Sequence, residues 1–127
     1  MKALELLSKR YTAPAYVFLA EVGNATGYGT TRHADGFAVS IWPSRGLHFI
    51  GFEIKAHRSD WIKELRTPRK AEEIAQYCHY WWLVCESEDV AKEDEIPATW
   101  GFMVVVGGKL VAIKEPALMT PKPPSVA

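Results

Sequence analysis

Residues 35–55 of the chain read DGFAVSIWPSRGLHFIGFEIK, and this stretch predicts two β-strands joined by a turn. Apolar and β-branched residues dominate residues 35–42 and 48–55, whereas the PSRG sequence between them is rich in turn-forming residues. The connection is short, so the two strands are expected to be antiparallel neighbours.

The register of this hairpin decides which side chains meet. If Trp42 faces His48 across the turn, Asp35 lies opposite Lys55 and diagonally beside Glu53. Glu53 and Lys55 are two residues apart, so they point to the same face of their strand. The sequence therefore predicts two carboxylates and an amine on one face, although a shift of a single residue would separate them.

The segments on either side of the hairpin predict an α/β domain. An apolar stripe predicts a helix over residues 2–10, and Ser59 and Thr67-Pro68 are candidate starts for two further helices. The remaining predicted strands are YVFLAEV at 16–22, YWWLVC at 80–85, and a second hairpin around Gly107-Gly108. This order predicts a mixed sheet flanked by helices.

Composition indicates an ordinary globular domain. The chain has 127 residues, of which 48% are hydrophobic, so we expect one domain over residues 1–118 and a proline-rich, disordered tail over 119–127. Lysine and arginine number 15, as do aspartate and glutamate, so net charge does not indicate a polyanionic partner.

We find no signal peptide and no apolar run long enough to span a membrane. Two cysteines in apolar segments are typical of reduced core thiols, so a cytoplasmic location is expected.

The charged end of the hairpin has two interpretations. Two convergent carboxylates, Asp35 and Glu53, could hold Mg²⁺ or Mn²⁺, with the backbone carbonyl of Ile54 as a further ligand. Lys55 would then orient a water molecule and offset the charge of a phosphate. The alternative is an ordinary ion pair between Lys55 and one of the acids, and the spacing alone favours it.

Several short motifs along the chain carry a family resemblance. They are Asp35, Glu53-Ile54-Lys55, Ser59-Asp60-Trp61, Pro68-Arg69-Lys70, Tyr77 to Trp82, and the closing IPATWGFMVV. Together they resemble the PD-(D/E)XK nuclease superfamily, in particular small phage and bacterial proteins related to MmcB-like DNA repair proteins. The similarity covers roughly residues 32–114.

The resemblance implies a restriction-endonuclease-like core of the order helix-strand-strand-strand-helix-strand, here followed by a hairpin. It also implies that Asp35 and Glu53 bind a metal ion, that Lys55 is the catalytic lysine, and that the substrate is DNA in phage or bacterial repair, recombination or processing. His79 departs from the pattern, because an aspartate is expected there.

Further residues could support such a site. Glu21, at the end of the first strand, is a candidate additional metal ligand. Candidates for contacts with nucleic acid are His57, Arg58, Lys63, Arg66, Arg69, Lys70 and Tyr77. Each of these also has a plain structural interpretation as a surface charge or a core edge. A non-cleaving DNA-binding accessory protein and a purely structural domain remain as alternatives, and a homodimer that cuts both strands is compatible with the small size.

Overall fold

A computed structural model of the chain describes residues 2–23, 33–41, 47–67 and 69–121. The helices are α1 (Lys2–Arg10), α2 (Arg58–Arg66) and α3 (Arg69–Ala75). The strands are β1 (Tyr16–Gly23), β2 (His33–Ser40), β3 (Phe49–Lys55), β4 (Tyr80–Cys85), β5 (Gly101–Val106) and β6 (Lys109–Lys114). A short 3₁₀ helix, Glu93–Glu95, interrupts the connection between β4 and β5.

The six strands form one open sheet in sequence order, β1-β2-β3-β4-β5-β6. The β1-β2-β3 and β5-β6 pairs are antiparallel, whereas β3-β4 and β4-β5 are parallel. Helices α2 and α3 provide the crossover that a parallel β3-β4 pair requires. The predicted mixed sheet flanked by helices is confirmed.

The register of the β2-β3 hairpin differs from the prediction by two residues. Gly36 pairs with Phe52, and Val39 pairs with Phe49. Extending this register places Asp35 opposite Glu53, so the predicted pairing of Asp35 with Lys55 is wrong. The N–H of Ser40 bonds to the carbonyl of His48 at 3.0 Å in this same register, so the connection between the strands is two residues longer than expected. A shift of two residues preserves the face of every side chain, so the predicted shared face is retained.

Each face of the sheet is covered by a separate apolar cluster. On one face, Ala3 and Leu7 of α1 pack over Phe52 and Val84. On the other face, Trp61 of α2 and residues of α3 pack over β4 and β5. Glu53 and Lys55 pair in register with Leu83 and Cys85 of β4, which belong to this second face. The charged end of β3 therefore lies under α2 rather than under α1.

Close packing around β4 explains a glycine in the neighbouring strand. A Cβ atom at Gly51 would lie 2.3 Å from the ring of Trp81, which is fully buried. The indole therefore rests directly on the backbone of β3. At the opposite edge, Gly107 and Gly108 have positive φ angles of 57° and 77°, as a two-residue hairpin turn requires.

Two local predictions need revision, and others concern residues that the structure does not describe. Ser59 does not cap α2: the helix begins at Arg58, His57 occupies the cap position with an extended backbone, and Ser59 lies in the first turn. Met119 donates a hydrogen bond of 2.8 Å to the carbonyl of His79, so the packed chain extends into the segment predicted to be a disordered tail. Pro68, the PSRG turn and residues 122–127 lie outside the described part of the chain.

Among the described residues, no helix has the length and apolar character needed to cross a bilayer.

Candidate active site

Asp35 is held beside the end of β3 by a hydrogen bond to the backbone. Its Oδ2 accepts a bond of 2.8 Å from the N–H of Ile54. Backbone pairing between β2 and β3 is last seen at Gly36 and Phe52, so this carboxylate bonds to a backbone donor beyond the end of the ladder. The result is a carboxylate fixed next to Glu53.

Glu53 is a carboxylate in a largely dry environment. Its side chain is only 13% exposed. Burial raises the pKa of its carboxyl to about 8, the negative charge of Asp35 adds to the rise, and the positive charge of Lys55 opposes it. The charge of Asp35 thus opposes ionisation of Glu53, and a cation placed between the two acids would favour ionisation of both.

Lys55 lies between two carboxylates from different elements. Its Nζ is 3.1 Å from Oε1 of Glu53 and 3.7 Å from Oε1 of Glu64. Burial disfavours the charged amine, but the surrounding carboxylates outweigh this effect and raise the pKa of Lys55. The ammonium group is therefore fully charged at neutral pH and held in place.

Glu64 is a site residue that the sequence analysis missed. It lies on α2, is only 8% exposed, and faces the end of β3. Asp60, Lys63, Glu64 and Thr67 have the i, i+3, i+4, i+7 spacing of one helix face and form a polar stripe on α2. An amphipathic helix ordinarily has such a face toward solvent, so the spacing alone does not mark Glu64 as a site residue.

These elements enclose an open cavity of about 420 Å³. The strand residues Asp35 and Glu53 to Ala56 form one side, and the polar stripe of α2 forms the other. The cavity is lined by Asp35, Glu53, Ile54, Lys55, Ala56, Asp60, Lys63, Glu64 and Thr67. Four acidic and two basic side chains line it, so acids outnumber amines in the cavity.

The donor set fits a hard divalent cation. Carboxylate oxygens of Asp35 and Glu53 and the backbone at Ile54 border one cavity, and oxygen ligands are those that Mg²⁺ and Mn²⁺ prefer. Within the described ranges, no three acidic, histidine or cysteine side chains are already arranged as a metal site. Mg²⁺ typically takes one or two carboxylates and keeps several waters, so two acids suffice for such an ion.

The structure separates the predicted nucleic-acid contacts into different groups. Lys63 lines the cavity. The Arg58 guanidinium instead bonds to both oxygens of Glu95, at 2.5 and 2.7 Å. His57 and Arg66 are exposed but do not line the cavity, and Tyr77 packs against the apolar cluster beneath α3.

Three other predicted residues are only partly described. The pairs Ala20–Gly36 and Val22–Ala34 place the backbone of Glu21 beside Asp35, but its side chain is outside the description. The side chains of Arg69 and Lys70 are also outside it.

His79 has a structural environment at the other end of the strands. Its Nδ1 accepts a hydrogen bond of 3.0 Å from the N–H of Phe49, where β3 begins, and its ring contacts His48. Burial and the neighbouring His48 lower the pKa of its imidazole. Since Lys55 is the last residue of β3, His79 lies away from the cavity.

Comparisons with known proteins support the fold and leave function open. No family model matches the chain, and no curated protein matches it significantly. The chain is similar to a solved structure of a protein of unknown function from Silicibacter pomeroyi, with a TM-score of 0.65 and 16% identity. The match covers 96% of this chain and 72% of the other. It therefore shows a shared α/β architecture.

Proposed function

We propose that the protein is a Mg²⁺- or Mn²⁺-dependent nuclease of the PD-(D/E)XK type that hydrolyses DNA phosphodiester bonds in phage or bacterial DNA repair, recombination or processing. The observation that carries this proposal is the convergence of Asp35, Glu53 and Lys55 on one open cavity. The proposal includes a restriction-endonuclease-like core, for which the order of α1 to β4 is compatible.

The charge of the cavity supports a requirement for a cation. Acidic side chains outnumber amines in its lining even when Glu53 is left out, so a phosphodiester would be repelled from the protein alone. A divalent ion between Asp35 and Glu53 would reverse this repulsion. When bound, the ion would supply stabilisation of the charge that develops on the phosphate and would lower the pKa of a bound water.

The protein's own groups have distinct tasks in this reaction. Asp35 and Glu53 would hold the cation and therefore fix the phosphate relative to β3. Lys55 would orient the attacking water and offset charge on the phosphate. The water would give a proton to solvent as its oxygen bonds to phosphorus, the bond from phosphorus to one ester oxygen would break, and that oxygen would take a proton from solvent, so the products are a phosphate monoester and a hydroxyl group.

A cleavage assay tests the proposal. The purified protein is incubated with supercoiled, linear, single-stranded and branched DNA, with Mg²⁺, Mn²⁺ or chelator. Glu53→Gln and Lys55→Gln should each lower the cleavage rate by about 10²–10⁴-fold, as is usual for charged groups at a reacting centre. Glu88→Gln and Lys109→Gln change exposed residues of the same types and should retain the full rate. Cleavage that persists in the first two variants would reject the nuclease.

A non-cleaving DNA-binding protein is the second candidate, and the ion pair between Glu53 and Lys55 favours it. Because Lys55 Nζ already lies 3.1 Å from Glu53, the acid has a cationic partner without a metal ion. This candidate predicts DNA binding that survives chelation and weakens steeply with salt, without cleavage. The nuclease predicts that DNA reaches the cavity only when a divalent ion is present.

A further inference from the structure

Glu64 is an unusual residue for the interior of this protein. In the part of the chain that the structure describes, Ser40 and Glu64 are the only buried polar residues, and Glu64 is the only buried one that carries a charge. Burying a carboxylate costs free energy unless a cation or hydrogen bonds compensate. Such a residue on a helix that faces a charged cavity therefore needs a partner, and the nearby cation is Lys55.

The distances indicate that Glu64 is the more distant of two carboxylates that can pair with the Lys55 ammonium. Lys55 Nζ lies 3.7 Å from Glu64, which is beyond hydrogen-bond length, and 3.1 Å from Glu53. The ammonium of Lys55 is thus paired with Glu53 on β3, and Glu64 on α2 lies close enough to replace Glu53 after a small movement of the side chains. Both acids line the same cavity.

A divalent ion at Asp35 and Glu53 would compete directly with this arrangement. The ion and the Lys55 ammonium are both positive, and both need the carboxylate of Glu53. If the ion takes Glu53, the half-buried ammonium loses its nearest counter-ion and faces a new positive charge. The Glu64 carboxylate, 3.7 Å from the same ammonium, offsets that penalty.

We propose that Glu64 is a positioning residue that accepts the Lys55 ammonium when a divalent ion occupies Glu53. This inference rests on the proposed function, because it assigns Glu64 a task at the same metal site. Glu64 thereby frees Glu53 for the ion and keeps the amine beside the phosphate. It acts on the ion through Lys55, so its contribution to metal affinity depends on the presence of that lysine.

A double-mutant cycle on Mn²⁺ affinity tests this dependence. The dissociation constant is measured by calorimetry for the full chain, Glu64→Gln, Lys55→Gln and the double variant. Glu64→Gln should weaken Mn²⁺ binding by about tenfold, because the ammonium then stays on Glu53. Lys55→Gln should tighten binding. In the Lys55→Gln background, the further change of Glu64→Gln should alter the affinity by less than about twofold.

Controls separate positioning from a role in folding. Glu72→Gln removes an exposed acid on α3 and should leave Mn²⁺ affinity unchanged. Unfolding of each variant without metal shows whether it is folded at the temperature of the titration. If Lys55→Gln does not fold, Lys55→Met replaces it: the side chain keeps its apolar stem and loses its charge, and Glu64→Gln should then alter the affinity by less than about twofold.

Each outcome bears on a different claim. If Glu64→Gln weakens Mn²⁺ binding equally with and without Lys55, Glu64 acts on the ion directly and the positioning role is wrong. If Glu64→Gln leaves the affinity unchanged while Asp35→Asn abolishes it, the metal site stands and the role of Glu64 does not. If the unmodified protein binds no Mn²⁺, the proposed nuclease itself is wrong.

Discussion

Asp35 accepts a 2.8 Å hydrogen bond from the backbone N–H of Ile54, the residue between Glu53 and Lys55. One side chain of β2 thus satisfies a backbone donor of β3 and places a charge beside the Glu53 carboxyl. The relationship links the stability of the hairpin end to the geometry of the proposed metal site, and substitutions at Asp35 can separate these two effects.

Asp35→Asn and Asp35→Ala should differ in stability but agree in their loss of metal binding. Asparagine retains an acceptor oxygen for the N–H of Ile54, so its free energy of unfolding should stay near that of the unmodified protein. Alanine leaves that donor without its partner and should cost about 1–3 kcal/mol. Urea unfolding and Mn²⁺ titration measure the two quantities. Equal stabilities for the two variants would show that the hydrogen bond does not hold the hairpin end.

Lys63 and Arg66 provide a matched pair on one helix. Both are exposed on α2, but only Lys63 lines the cavity. In the presence of Ca²⁺, which substitutes as a divalent ion, Lys63→Ala should weaken DNA binding and lower the slope of log affinity against log salt by about 1. Arg66→Ala should have a smaller effect. Equal effects of the two changes would indicate that DNA does not approach through the cavity.

The pair formed by Arg58 and Glu95 predicts a loss of stability in acid. Hydrogen bonds from Arg58 and the backbone N–H of Lys92 lower the pKa of Glu95 from its ordinary value of 4.5 to about 2. Because the folded pKa is depressed, the stabilisation is fully present above about pH 4.5 and is lost as the pH falls toward 2.

Thermal unfolding of the unmodified protein and Glu95→Gln across this range tests that sign. The variant should unfold at a lower temperature at pH 7, and the difference should close as the pH approaches 2. A difference that is independent of pH would mean that the Glu95 charge contributes nothing. Glu88→Gln, an exposed acid in the same connection, serves as the control.

Gly51→Ala should be strongly destabilising, because the new methyl group would lie 2.3 Å from the Trp81 ring and 2.9 Å from the sulfur of Cys78. Overpacking of this kind costs about 1–3 kcal/mol or more. Gly36→Ala is the matched change in the neighbouring strand; its methyl group would meet the half-buried Phe18 ring at 3.0 Å, which can shift. Denaturant unfolding should therefore rank Gly51→Ala as the less stable variant.

Local patterns in the sequence were sufficient for most of the elements. The alternation around Glu53, the glycine pair at Gly107-Gly108 and the apolar run of β4 each predicted a strand that the structure contains. The face shared by Glu53 and Lys55 was also predictable, since side chains in a strand alternate with a period of two. Asp35 shares that face because the register differs from the predicted one by an even number of residues. The start of α2 was not predictable in this way. His57 takes the cap position and makes no side-chain hydrogen bond to the helix, so the residue type gives no signal for it.

Periodicity along the chain determined the kinds of elements and the face that Glu53 shares with Lys55, because both follow from interactions between residues close in sequence. The two-residue error in register shows where that information stops: the pairing of Ser40 with His48 depends on how the two strands associate, which the residue types in each strand do not specify. The same holds for Glu64, whose place near Lys55 depends on how α2 packs over β3. Distances between elements reflect the packing of the whole core, and no local pattern contains them.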